Sequence, residues 1–388
     1  DVKSKRKVCV VITARPSYAR IKTAMEAIRD HEGLELQLVV AASALLDRYG
    51  NAVKVIESEG FKIDRTVYMI VEGENLVTSA KSTGFGLAEL ATVFNDLKPD
   101  MVVTIADRYE TVATSIAAAY MNIPLVHVQG GEVTGSIDEK TRHANTKLAD
   151  IHLVSCDNAR VRVEKMGEQP ASIFVTGCPS IDLARLALEA EPRDIAKVAA
   201  QYSGVGAPVD VTKPYIVVMQ HPVTTEYNEA RQHADETVEA VNAAGYPTLW
   251  FWPNVDAGSD GTSKAIRAAR EYHKLQQTHF YKNMNPLDFL SILINSRGLV
   301  GNSSVAIREC SYLGVPAINI GSRQNRRDRG RNVVDVGYNR KEIGAAIRKM
   351  WDMKDRLRDT VYGDGHAGKR IADVLATAPL TIQKMLTY

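Results

Sequence analysis

The 388 residues include only four cysteines, and none stands in a CxxC pair. A disulfide framework and a cysteine-based zinc site are both excluded by that scarcity. Cys9, Cys156, Cys178 and Cys310 lie in apolar contexts such as VCVVIT and read as small buried hydrophobes of a reducing compartment. None of the nine histidines forms HExxH or a pair with cysteine, so a zinc site is not expected. No apolar run approaches the roughly 18 residues that cross a bilayer, and no signal peptide is visible. A cytoplasmic location without a membrane partner is therefore the expectation. Charge of one sign is also missing: 48 basic and 46 acidic residues leave a net +2. Nucleic acid is not an expected partner, and any local positive site has to be sought individually.

What the chain has is alternation. Apolar runs suited to buried parallel strands are expected at Val8–Thr13, Leu36–Ala41, Met101–Ile105, Leu125–Val128, Ile151–Ser155 and Ile173–Thr176. A second set follows at Tyr215–Gln220, Thr248–Trp252, His279–Lys282, Gly298–Val300 and Ala317–Ile320. Helical stretches such as Leu87–Leu97 and Glu110–Tyr120 lie between them, which makes βαβ units and a doubly wound sheet. The pattern occurs twice, separated by a breaker-rich stretch from Glu189 to Pro214 that reads as a linker or inter-domain crossing. The expected fold is α/β, with two Rossmann-like doubly wound domains, 1–195 and 196–388, facing across a cleft. Helices after Asn339 could brace both.

Two glycine motifs are decoys. Gly363–Arg370 begins like a phosphate-binding GxxxxGK loop but lacks the Ser or Thr that would hold magnesium, and reads as a turn between helices. Gly84-Phe85-Gly86 is half a dinucleotide fingerprint with no strand before it.

Ligands of open parallel sheets sit beyond the carboxyl ends of the strands. There the sequence turns polar: Arg15, then Asp107-Arg108, then Gln129-Gly130-Gly131-Glu132 and Ser136-Ile137-Asp138. In the second half His221, Asn254 and Gly301-Asn302-Ser303-Ser304 occupy the same places, with Glu309 further on. The serines open a helix, so phosphate binding is preferred over simple capping. Asp107, Glu132 and Asp138 are candidate proton-transfer groups, although Asp138 could instead cap a helix and Asp107 could pair with Arg108 or Arg142.

These motifs, with His127–Glu132, Gly177–Ser180, Gln220–Pro222, Pro253-Asn254, Arg308-Glu309 and Gly321–Gln324, run in one order over most of the chain. In that order they resemble the hydrolysing UDP-N-acetylglucosamine 2-epimerases of sialic-acid biosynthesis. The resemblance implies a glycosyltransferase-B-like fold, a homo-oligomer (dimer or tetramer), and a nucleotide-sugar substrate. It implies that Arg15, Arg108, His221, Asn254, Ser303, Ser304, Glu309 and Arg323 contact nucleotide or diphosphate, with His221 also counted among the catalytic groups. Asp107, Glu132 and Asp138 would face the sugar. The implied reaction eliminates UDP to a glycal and adds water to give N-acetylmannosamine, with no cofactor and no accompanying kinase. Gln129 stands where non-hydrolysing relatives carry a carboxylate; lacking a titratable proton, it can orient substrate but cannot be the base. Four alternatives stay open: GDP-N-acetylglucosamine or a UDP-2,4-diacetamido sugar as substrate, non-hydrolysing epimerisation, glycosyl transfer, and a non-catalytic nucleotide-sugar sensor.

Overall fold

The central strands of the first sheet are buried throughout because helices cover both faces: all five residues of Met101–Ile105 and all four of Leu125–Val128. The computed structural model describes residues 4–73, 75–105, 108–133, 139–221, 223–251, 259–271 and 274–388. The first sheet contains β1 (Arg6–Ile12), β2 (Leu34–Ala41), β3 (Arg65–Val67), β4 (Met101–Ile105), β5 (Leu125–Val128), β6 (Ile151–Val154) and β7 (Ile173–Val175). Its order is β3-β2-β1-β4-β5-β6-β7, with every ladder parallel.

The second sheet contains β8 (Val205–Gly206), β9 (Ile216–Met219), β10 (Thr248–Phe251), β11 (Thr278–Tyr281), β12 (Leu299–Gly301), β13 (Ala317–Ile320) and β14 (Val333–Val336). Its order is β14-β13-β12-β9-β10-β11-β8, parallel except where β8 runs against β11. The doubly wound α/β class expected from the alternation is what the chain forms. Among the described residues no helix is long and apolar enough to cross a membrane. All four cysteines are free and buried, and burial, helped by Asp64, pushes the Cys9 thiol up to about 12.

The division of the chain differs from the sequence expectation of 1–195 and 196–388. One compact unit is built from Asp1–Glu132, Asp138–Asp182 and Gly365–Tyr388, and the other from Val133–Ile137 and Leu183–Asp364. The changeover falls inside the helix Pro179–Glu189, because Leu183, Ala184 and Ala187 join the apolar core around Ile195, Val198 and Tyr215. The breaker-rich stretch 189–214 is no linker: it holds the helix Ile195–Ala200 and β8. Gly204 and Gly206 let that strand approach β11 closely, since a Cβ on Gly204 would lie 2.4 Å from Phe280 O. The helix Arg340–Asp352 stays with the second unit, whereas Ala367–Thr377 returns to the first.

Asp182 fixes that return by accepting from the backbone N–H groups of Ala367 and Gly368, each at 2.8 Å, and from Thr23 Oγ1 at 2.9 Å. Gly363–Arg370 is thus a turn leading into a helix, as expected of the first decoy. The second decoy lies within the helix Leu76–Leu97, which starts eleven residues before the expected Leu87. Asn75 and Thr78 cap it reciprocally, and Gly86 is small because a Cβ there would lie 2.3 Å from Met69 Cε.

The last residues are held by a buried carboxylate. Glu168 accepts from Lys147 Nζ at 2.6 Å, lies 2.8 Å from His152 Nε2, and also accepts from Lys384. Burial alone would raise Glu168, but His152, Lys147 and Lys384 together hold it down at about 2. Glu168→Ala strips that anchor from three cationic or hydrogen-bonding partners and is expected to cost about 3 kcal/mol in a urea unfolding titration. A loss below about 1 kcal/mol, the range of an exposed pair, would show that the cluster does not hold the tail.

Candidate active site

In the first unit the strand order reverses between β1 and β4, the place where doubly wound sheets take ligands. Arg15 opens the helix Arg15–Asp30 directly after β1; its exposed guanidinium donates from Nη1 to Gly50 O at 2.9 Å. Arg108 follows β4, and its Nε lies 3.2 Å from Oε1 of the fully buried Glu110. Glu110 was not among the candidates read from the sequence, although it stands two residues after Arg108, just before the helix Thr111–Tyr120, and its burial marks it as more than a solvated acid.

Beyond β5 the chain is bent by three residues. Gln129 is buried in the left-handed region at φ +66°, and its Nε2 donates to Cys178 Sγ at 2.9 Å. Its Oε1 has no hydrogen-bond partner among the described residues. Gly130 has no room for a side chain, since a Cβ would lie 2.8 Å from both His127 Nδ1 and Thr146 Oγ1. Gly131, at φ +74°, passes so near a neighbouring helix that a Cβ would lie 2.3 Å from Ala159 O. This bend delivers Glu132, whose side chain is buried and whose carbonyl accepts from Arg142 Nη1 at 3.4 Å. Arg142 therefore lies by Glu132, a partner not foreseen for it. Within β5, His127 is buried with Nδ1 3.0 Å from Thr146 Oγ1. Burial drives His127 well below its ordinary pKa; His152 and Arg142 add to this and Glu132 opposes it.

In the second unit the order reverses between β9 and β12, and the candidate residues gather there. Gly301 ends β12 opposite Met219 of β9, and a Cβ on it would lie 1.9 Å from Met219 O. The next residue, Asn302, links the two strand ends: Oδ1 accepts from His221 N at 2.6 Å and Nδ2 donates to His221 O at 2.7 Å. Its own carbonyl accepts from Arg323 Nη1 at 3.1 Å and Gln324 Nε2 at 2.9 Å. His221, Ser303 and Arg323 are thus brought together through Asn302, to which the sequence had assigned no separate role. His221 is buried and held well below its ordinary pKa by burial, with the Arg323 charge acting in the same direction.

The helix expected after Gly301 is shorter than anticipated. It runs Ser304–Ile307, breaks at Arg308, and resumes as Glu309–Leu313. Ser303 is its cap, accepting from Val305 N at 3.2 Å, so capping and ligand binding are not exclusive at this residue. Ser304 is half-buried at the first helical position, where the backbone N–H has no partner inside the helix. Glu309 is half-buried too, which distinguishes it from an ordinary solvated helix residue. Arg308 and Arg327 are buried alongside these residues in the sequence and in the same unit, an enrichment in guanidinium groups that local spacing had not revealed.

Asp107, Asp138 and Asn254 lie outside the described residues, as do Ser136, Ile137, Pro222 and Pro253. One group among the described residues gathers three potential metal ligands: Glu226, Glu229 and His233. Glu226 Oε2 already accepts from Ser322 Oγ at 2.5 Å, and the His233 ring stacks on Tyr338 at 3.5 Å.

Two doubly wound parallel sheets with polar residues at both reversal points define a glycosyltransferase-B-like α/β protein. The family model for UDP-N-acetylglucosamine 2-epimerase matches residues 26–376, and the chain belongs to that family. It is 29% identical over 378 residues to the UDP-N,N'-diacetylbacillosamine 2-epimerase (hydrolyzing) of Legionella pneumophila, covering 97% of each chain. It is also 29% identical over 376 residues to the UDP-N-acetylglucosamine 2-epimerase of Neisseria meningitidis, covering 96% of this chain and 95% of that one. Among solved structures, the Neisseria meningitidis UDP-GlcNAc 2-epimerase bound to UDP-GlcNAc superposes with a TM-score of 0.80 at 17% identity, over 95% of this chain and 99% of that one.

The buried neutral histidines carry a pH consequence. Between the ordinary histidine pKa of about 6.5 and the lower folded value, the unfolded chain binds protons that the folded chain does not. Stability present above pH 6.5 is therefore expected to fall as the pH drops below it. His127→Gln should flatten part of that slope between about pH 6.5 and 5 in urea titrations, whatever it costs at neutral pH. An unaltered slope would show that His127 titrates normally.

Proposed function

We propose that the chain is a hydrolysing 2-epimerase that converts UDP-N-acetylglucosamine to N-acetylmannosamine and UDP. The observation that carries the reading is the Asn302 junction at the second reversal point, which sets His221, Ser303 and Arg323 around one strand end in a chain of this family. Positive charge and helix-start N–H groups suit a leaving diphosphate. Ser304, Glu309, Arg15, Arg108 and Asn254 complete the proposed nucleotide contacts.

In the first step a carboxylate takes the C2 proton, the C1–O bond breaks, and its electron pair leaves with UDP to give a glycal. Water then adds, hydroxyl to C1 and a proton to C2 from the face that inverts this centre. Asp107, Glu132 and Asp138 are the proposed proton-transfer groups, and Arg323 with neutral His221 stabilises charge on the departing diphosphate. Gln129 has no proton to give at neutral pH, so its buried amide orients rather than transfers, its Oε1 being left for a substrate N–H or O–H. A carboxylamide at that position and the hydrolysing relative at 29% identity both support water, not rebound UDP, as the second reactant.

A second reading, the same chemistry on a UDP-2,4-diacetamido sugar, is favoured by that relative's substrate. Incubation with UDP-N-acetylglucosamine, GDP-N-acetylglucosamine and the UDP-2,4-diacetamido sugar in D2O, followed by NMR, separates these. Release of UDP with free N-acetylmannosamine deuterated at C2 is the expected result. Retention of UDP on an epimerised sugar would make the enzyme non-hydrolysing, and turnover of the diacetamido sugar alone would move the substrate to the second reading. Glu132→Gln is expected to lower kcat by at least about 100-fold, the usual scale of a lost acid or base, while UDP affinity by calorimetry stays near wild type. A variant with wild-type kcat would remove Glu132 from the chemistry.

A further inference from the structure

In the first sheet β6 lies between β5 and β7, yet a residue that follows β5 is bonded to one that follows β7. Gln129 leaves the end of β5, and its Nε2 donates to Cys178 Sγ at 2.9 Å. The glutamine side chain therefore lies across the carboxyl end of β6, on the rim where this sheet takes ligands. Its backbone, at φ +66°, occupies a region that a residue with a Cβ enters only against steric resistance. Such a conformation persists where the surroundings hold it, and functional sites are where it gathers.

Cys178 is fully buried and is fixed from both sides. Gly177, at φ +82°, turns the chain after β7, and Pro179 opens the helix Pro179–Glu189. The Cys178 carbonyl accepts from Ile181 N at 3.0 Å, and Asp182 in the same turn is bound by Ala367, Gly368 and Thr23. Cys178 Sγ also lies 3.0 Å from Oγ of the buried Ser180. A thiol has one hydrogen to donate and sulfur lone pairs to accept with. With that hydrogen given to Ser180, the sulfur faces Gln129 as an acceptor, which only the NH2 end of the amide can satisfy. The carbonyl end is then turned away from Cys178, and Gln129 Oε1 is the buried acceptor that has no partner among the described residues. An unpaired buried acceptor is destabilising by itself, and a donor brought by a ligand removes that defect.

We propose that Cys178, with Ser180 behind it, is a positioning residue: it fixes which end of the Gln129 amide meets the substrate, so that the rim presents an acceptor to an N–H or O–H group of the sugar. The proposal rests on the nucleotide-sugar reading above but not on whether water or UDP is the second reactant.

A double-mutant cycle tests it, with consumption of the UDP-sugar followed by NMR. Gln129→Met, which keeps the length and removes the amide, and Cys178→Ala are each expected to lower kcat/KM about tenfold, while UDP affinity by calorimetry stays within about twofold. The two together should lose no more than Gln129→Met alone, because Cys178 acts through that amide. Cys178→Ser, whose hydroxyl both donates and accepts, should recover kcat/KM to within about threefold of wild type. If Cys178→Ala does not fold, Ser180→Ala in the wild-type and Gln129→Met backgrounds completes the same cycle. Losses that multiply in the double variant, wild-type kcat/KM in folded Cys178→Ala, or no recovery in folded Cys178→Ser would each overturn the proposal. If no nucleotide sugar is turned over, the proposed reaction fails on its own account, and the cycle is read from affinity for UDP-N-acetylglucosamine relative to UDP. Additive losses there, or no contribution from the sugar at all, would sink the positioning role.

Discussion

The side chain of Asn302 hydrogen-bonds the backbone of His221 in both directions, and the rim of the second unit depends on that pair of bonds. It ties the end of β12 to the end of β9 where the strand order reverses, the one place in such a sheet where adjacent loops diverge and leave a crevice. Gly301 makes the tie possible, because any side chain there would collide with Met219 O. Arg323 and Gln324 then fasten to the carbonyl of the same asparagine. A sequence of four small or polar residues thus does several separate jobs: approach, cross-link and cap.

The first unit solves a similar problem with different means. A left-handed glutamine and two glycines turn the chain sharply after β5, and close packing leaves no alternative to glycine at either position. Neutral His127 sits beneath this turn, and Arg142 reaches the Glu132 carbonyl from the next helix. Burial is the common factor: it keeps His127 and His221 uncharged, so each ring offers one N–H donor and one acceptor nitrogen.

Strands buried on both faces were legible because a continuous apolar run is unmistakable; β4, β5 and β13 fall on the residues that periodicity marks. Short edge strands were not. β3 and β14 are mostly exposed and include Arg65 and Asp335, and β8 has two residues, one of them glycine. Glycines misled in both directions, hiding the first half of the helix Leu76–Leu97 and suggesting a linker where Gly204 and Gly206 serve close strand approach. The unit boundary was hidden for a further reason: a helix shows one apolar stripe, and nothing in it says that Asp182 serves one core and Leu183 another. At the site, residue types following strands were readable, whereas Cys178 as the partner of Gln129 depends on tertiary approach between segments far apart in the chain, and the burial of Glu110 and Arg142 depends on packing that local spacing does not show.

The return of residues 365–388 to the first unit has a bearing on synthesis. As the chain leaves the ribosome, Asp182 and Glu168 emerge long before Ala367, Gly368 and Lys384, the groups that later neutralise or cap them. The second unit, by contrast, draws on no residue after Asp364. The unit that begins first is therefore the one closed by the residues translated last.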